Sequence, residues 1–264
     1  MSNANSASAD SGRAVSLDDK YDLNCRRIFA NGAQALVRAV MTQKQLDEAA
    51  GLNTAAYVSG YRGSPLGGVD MQFWKARPWL SESNLVFEPG LNEDLAATAV
   101  YGTQQVAEMP DPSKDGVFGL WYGKGPGVDR AGDALKHANY GGTSRHGGVI
   151  AVFGDDHPGK SSTIAHQSEQ AMVGFCIPVL YPASVQEYVD FALAGWAMSR
   201  YSGLWVGFKA VNETVESTAS IDVDPDRFEF VTPPDEALPA SGIHVALRYA
   251  PQEDDRTVLV LRLP

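Results

Sequence analysis

Apolar positions in this chain fall into short runs separated by amphipathic stretches. Val149-Ile150-Ala151-Val152-Phe153 contains no polar residue. Such a run predicts a strand buried on both faces, as in parallel sheets. Residues 55–60, 85–88, 117–121, 177–181 and 204–209 predict further strands, with Pro178 marking an edge or a strand start. Between them, residues 31–50 place Ala33, Leu36, Val37, Val40 and Met41 on one helical face. Val69 to Lys75 predicts a short helix that Pro78 stops. Asn92 to Glu108 predicts a longer helix, capped by Asn92 and closed by Pro110. Residues 128–138 and 185–199 predict two more. Strands alternating with helices imply the α/β class: a parallel sheet with helices on both faces.

The ends differ from this body. Residues 1–20 are rich in Ser, Ala, Asp and Asn and are expected to be disordered. The α/β domain is expected over 21–220. Residues 221–264 read as a linker and the start of a further segment, because acids and prolines crowd 222–240 and an apolar run, Thr257 to Leu263, ends the chain. That ending leads us to expect a fragment of a longer protein. A net charge of −11, from 32 acids and 21 bases, disfavours a nucleic-acid partner. No apolar run approaches the roughly 20 residues a membrane span needs. The N-terminus lacks the apolar core of a signal peptide. A cytoplasmic setting is expected. The two cysteines, Cys25 and Cys176, cannot by themselves ligate an iron–sulfur cluster or a structural zinc, and are expected in the core.

Two segments carry most of the candidate chemistry. Gly60-Tyr61-Arg62-Gly63-Ser64-Pro65-Leu66-Gly67-Gly68 follows an expected strand, and Phe87-Glu88-Pro89-Gly90-Leu91-Asn92-Glu93-Asp94 runs from a strand into a helix. Turns of this kind gather at one edge of an open α/β sheet, where ligands bind. The pair implies a cleft with one carboxylate, Glu93; a capped helix start rich in acids is the simpler alternative. Ser64 and Pro65 suit an N-cap and a first helical position, from which backbone N–H groups would face an anion, or else a plain turn. Lys124, within Gly123-Lys124-Gly125-Pro126-Gly127, is a further anion candidate, and the glycines allow either a ligand or a tight turn. His137, His146, His157 and His166 show no metal-ligand spacing; His157 and His166 flank the expected cleft. Trp74, Trp79, Trp121 and Tyr122 can build an apolar wall or simply fill the core.

Gly154-Asp155-Asp156-His157-Pro158-Gly159-Lys160-Ser161 matches the phosphate-binding pattern G-x-x-x-x-G-K-[ST] and follows a strand. Its chemistry argues against that use, since two acids would enter the phosphate wrap and Pro158 removes a donor. A nucleotide-binding domain is thus the alternative function, and a non-catalytic packing fragment a second one.

Gly60 to Pro65, Asn92-Glu93-Asp94-Leu95-Ala96, and the acidic turn after residues 149–153 followed by Ser161 to Gln170 together resemble the thiamine-pyrimidine-binding domain of 2-oxoacid:ferredoxin oxidoreductases, notably the long fused indolepyruvate type. The resemblance covers roughly residues 24–220. It implies oxidative decarboxylation of a 2-oxoacid to an acyl-coenzyme A, with electrons leaving to ferredoxin. It implies thiamine diphosphate as cofactor, with Mg²⁺ and [4Fe–4S] clusters held elsewhere in the full-length protein. It makes Glu93 the catalytic acid that bonds the aminopyrimidine ring, with Gly63, Ser64 and Pro65 beside the cofactor. Ser64, Arg62 and, less directly, Arg145 become the substrate-binding candidates. The G-D-G…N segment that holds diphosphate and Mg²⁺ in the family has no counterpart here. This segment alone is therefore expected to be inactive, with diphosphate-binding, iron–sulfur and gamma-type domains as partners and a homodimer as the assembly.

Overall fold

The computed structural model describes residues 14–160 and 164–231. Its first half runs β1 (Arg27–Asn31), α1 (Gly32–Ala49), β2 (Thr54–Gly60), α2 (Val69–Glu82), β3 (Leu85–Phe87), α3 (Glu93–Thr103) and β4 (Gly116–Lys124). The second half runs α4 (Gly125–Arg130), α5 (Gly132–Gly141), β5 (Val149–Asp155), α6 (Glu169–Gly174), β6 (Val179–Leu180), α7 (Val185–Ser202), β7 (Val206–Val211), α8 (Asn212–Val215) and β8 (Thr218–Asp222). Six strands form one sheet in the order β3-β2-β4-β5-β7-β6, and every pair in it is parallel. The protein is thus mixed α/β, a parallel sheet with helices on both faces.

Alternation along the strands divides the core in two. Phe118, Leu120 and Tyr122 face α1, α2 and α7, whereas Trp121, Ala151 and Phe153 face α3, α4 and α5. Every residue of β5 and β7 is buried, as expected of central strands covered on both sides. The edge strand β6 has two residues and follows Pro178 directly, where a missing N–H costs no ladder bond.

Several element boundaries differ from the sequence expectation. α2 runs through Pro78 to Glu82. Its last turn holds because Leu80 is buried and Trp79 stacks on Tyr21 at 4.3 Å. α3 stops at Thr103, and a separate 3₁₀ turn covers Val106–Glu108. The break follows from Gln104, which turns inward to donate to the Val117 carbonyl and accept from Gly148 N–H. The helix expected over 128–138 is two helices, α4 and α5. The chain also contains an antiparallel ribbon, β1 with β8, outside the main sheet. β8 spans the expected boundary at residue 220, and Asp19–Tyr21 forms a 3₁₀ turn at the edge of the expected N-terminal tail. Residues 1–13 and the run Thr257 to Leu263 lie outside the described residues.

Candidate functional site

The strand order reverses at β2, which has β3 on one side and β4 on the other. Ligands of open α/β sheets bind beyond the carboxyl ends of the strands at such a switch point. Both candidate segments lie there. Gly90 N–H donates to the Gly60 carbonyl at 2.8 Å, so the glycine turn after β2 and the acidic turn after β3 are bonded to each other. Asn92 caps α3 by accepting from Leu95 N–H at 2.8 Å, which fixes the first turn and the direction of Glu93.

Glu93 is 6% exposed, on the α3–α4 side of the sheet. Its carbonyl accepts a 2.9 Å bond from the Trp121 indole. Its carboxylate makes no hydrogen bond among the described residues; Arg130, whose side chain is 58% exposed, stands 3.9 Å away. Its oxygens are not sealed from solvent, so the carboxylate is open to a donor brought by a ligand. The carboxylate lies on the backbone of Gly127, where a Cβ would come within 2.6 Å of Oε1. On the same turn, a Cβ on Gly125 would lie 2.1 Å from Nδ1 of His166. The glycines of Gly123-Lys124-Gly125-Pro126-Gly127 therefore make room for three side chains of this chain, those of Trp121, Glu93 and His166.

The glycine turn lies against the other face of the same strand ends. Pro65 and Leu66 fill the space beside Gly154, and the Lys124 stem fills that beside Gly63. Of the two readings open for Ser64 and Pro65, a helix start or a plain turn, the structure has the plain turn. The Ser64–Pro65 peptide is cis, a 3₁₀ turn covers Leu66–Gly68, and α2 begins only at Val69. Arg62 is exposed at this edge. Arg145 precedes β5 and so lies at the opposite, amino end of the sheet from Glu93. The parallel topology separates Arg145 and His146 from the candidate site.

The aromatic residues do not make one wall. Trp121 stands beside Glu93, Tyr122 points to the opposite face, and Trp74 and Trp79 belong to α2. Burial first, and the Asp70 carboxylate next, push the Tyr122 phenol well above its ordinary range. Cys25 is buried, but Cys176 is exposed, contrary to its expected place in the core.

At the ends of β5 and β7, on the Glu93 side, lies a network of charged groups that the sequence did not reveal. Asp155 is buried and accepts from the N–H and hydroxyl of Ser168 at 2.8 and 2.6 Å. Lys209 stands 3.5 Å from Asp155 and is paired with Glu169. His166 Nε2 is 2.8 Å from Asp129, and its Nδ1 is 3.7 Å from Asp155. Burial alone would raise the Glu169 carboxyl, but the Lys209 bond, its own backbone N–H and the Lys209 charge prevail and hold it below the ordinary range. Ligand atoms of Asp155, His157 and Glu169 lie within 4.8 Å of one another. The Lys209 ammonium already supplies the positive charge there, so this cluster is an ion-paired group and not a vacant cation site. Beside it, a cleft of about 470 Å³ is lined by Asp155, Asp156, His157, Tyr181, Asn212 and others.

The phosphate-loop alternative loses its geometry. Lys160 N–H donates to the Asp156 carboxylate at 3.1 Å, and Gly159 N–H to the Asp156 carbonyl. Those donors turn inward to an acid, away from any phosphate. The next described helix begins only at Glu169; Ser161 lies outside the described residues.

No protein-family model and no curated protein sequence matches this chain. Solved structures do match in shape. One is the 2-oxoglutarate:ferredoxin oxidoreductase from Magnetococcus marinus, solved with 2-oxoglutarate, coenzyme A and succinyl-CoA bound. The TM-score is 0.56 at 15% identity, over 77% of this chain and 33% of that one. This chain thus spans about a third of the length of that neighbour. The likeness shows that the fold described above is also the fold of part of that enzyme.

Proposed function

We propose that this chain supplies the pyrimidine side of the active site in a thiamine-diphosphate-dependent 2-oxoacid:ferredoxin oxidoreductase of the indolepyruvate or arylpyruvate type. The observation that carries the reading is the buried Glu93 carboxylate, free of hydrogen bonds, at the switch point of the sheet. A carboxylate so placed can accept a hydrogen bond from a protonated ring nitrogen, and Gly127 keeps its approach clear of a side chain. These residues fit the aminopyrimidine end of the cofactor. When bound, thiamine diphosphate supplies the reactive carbon that takes up the 2-oxoacid and allows CO₂ to leave. The chain's own contribution is to hold the ring at Glu93 and to exclude water with Trp121, while Gly63, Ser64 and Pro65 approach the cofactor from the other face of the same strand ends. Arg62 is the substrate-carboxylate candidate at the correct edge of the sheet.

The shape match to a 2-oxoacid oxidoreductase supports the reaction class, and the motifs around Gly60 and Glu93 support the indolepyruvate type. On this reading the diphosphate, Mg²⁺ and [4Fe–4S] clusters belong to other domains of the same cytoplasmic, dimeric enzyme. Coenzyme A and ferredoxin complete the reaction. Glu93→Ala in the full-length protein is expected to lower decarboxylation by about 10²–10⁴-fold, the range for a group that moves a proton in the transition state. Decarboxylation near the wild-type rate would contradict the assignment.

A further inference from the structure

The α4 turn is held on both flanks. Glu93 presses on Gly127 from one side, and the His166 ring presses on Gly125 from the other. Two adjacent α4 residues repeat the arrangement with their side chains. Asp129 bonds Nε2 of His166 at 2.8 Å, and Arg130 faces Glu93 at 3.9 Å. His166 is itself anchored from behind. Its backbone N–H donates to the Asp156 carbonyl, and its Nδ1 stands 3.4 Å from the hydroxyl of Ser168. Ser168 is in turn bonded twice to the buried Asp155 at the end of β5. A continuous set of contacts thus runs from the central strand through Ser168, His166 and α4 to Glu93.

We propose that His166 is a positioning residue for Glu93. This inference rests on the proposed cofactor site. The His166–Asp129 bond fixes the rotation of α4, and the Gly127 backbone then sets how far the Glu93 carboxylate can retreat from a bound ring. α4 has only 6 residues, and Asp129 is its sole side-chain bond to the β5 loop among the described residues. Without that bond the turn gains freedom, and Glu93 loses the surface it rests on. His166 does not itself contact the cofactor in this account, because the Asp129 side and the Ser168 side take up its two nitrogens.

The test uses the full-length protein loaded with thiamine diphosphate and Mg²⁺. Exchange of the cofactor's thiazolium C2 proton for deuterium is read by NMR after acid quench, beside cofactor affinity from tryptophan fluorescence. A 1 Å displacement of a reacting group can cost about 10²-fold, so His166→Ala is expected to slow exchange by up to that factor. His166→Gln, whose amide nitrogen takes the place of Nε2, is expected to restore most of it. Asp129→Ala, at a side chain 62% exposed and therefore safe for folding, is expected to slow exchange as His166→Ala does. Wild-type exchange in Asp129→Ala or His166→Ala, or Gln as slow as Ala, would overturn the inference. Glu93→Ala separates the two layers. If it exchanges at the wild-type rate, the cofactor reading itself falls; if it is slow while Asp129→Ala is not, only the positioning role falls.

Discussion

Gly127 is where one methyl group would strike the Glu93 carboxylate. Its missing Cβ is the space the Glu93 carboxylate occupies, at 2.6 Å from Oε1 and from Cγ. Gly127→Ala is therefore expected to push Glu93 aside and slow C2 exchange in the full-length protein by about 10²-fold, while circular dichroism stays unchanged. Gly102, inside α3, has no atom within 4 Å of such a Cβ. Gly102→Ala is expected to raise stability by about 0.5 kcal/mol and leave exchange alone. Equal behaviour of the two variants would contradict the contact. A second residue-scale effect belongs to Glu169, whose folded carboxyl lies below its ordinary 4.5. A depressed acid stabilises the fold above its unfolded value and loses that contribution as pH falls through the folded value. Acid unfolding of the wild type should steepen below about pH 4.5, and Glu169→Gln should flatten that region. An unchanged acid profile in the variant would remove Lys209–Glu169 from the account.

Elements are joined by a few buried polar groups, and Asp47 is one of them. It accepts from Gln43 at 2.8 Å, from the Thr54 hydroxyl at 2.6 Å, and from both Arg200 terminal nitrogens at 2.6 and 2.8 Å. It therefore ties α1 to β2 and α7. Removing one partner of a buried pair strands the other charge, so Asp47→Ala is expected to cost about 3 kcal/mol in urea unfolding. A loss below about 1 kcal/mol would mean that Arg200 finds water instead.

At this scale the sequence was readable where local chemistry decides. The apolar run 149–153, the Asn92 cap and the βα alternation all emerged as expected. The β1–β8 ribbon was not readable, because its strands lie about 190 residues apart and bear charges such as Arg27 and Asp222. Pro78 misled because the stacking of Trp79 on Tyr21 is a tertiary contact. The phosphate-loop motif was doubtful from its two acids and Pro158, but no pattern of residue types shows that Lys160 N–H turns to Asp156. Glu93 stood out only through the resemblance carried by Asn92 to Ala96, because its helix start alone reads equally as an acid-rich capped turn. His166 was placed beside the cleft, but its contacts with Gly125 and Asp129 were not readable, since they form across the fold.

The molecule as a whole gathers its unusual chemistry at one end. The carboxyl ends of β2 to β7 carry the glycine turn, Glu93, the α4 turn and the Asp155–Lys209 network. Around them the side chains of Tyr61, Leu91, Leu95 and Ile164 are exposed. On the proposed function, this end meets the domain that holds the diphosphate and Mg²⁺. Among the described residues, no helix is long and apolar enough to cross a membrane. The central claim is that Glu93 bonds the aminopyrimidine ring of thiamine diphosphate. A structure of the full-length protein with thiamine diphosphate and Mg²⁺ tests it most directly. The account predicts a Glu93 oxygen about 2.6–3.2 Å from a pyrimidine ring nitrogen, with the ring over the end of β4. A cofactor bound elsewhere, with no ring nitrogen within hydrogen-bond distance of either Glu93 oxygen, would contradict it.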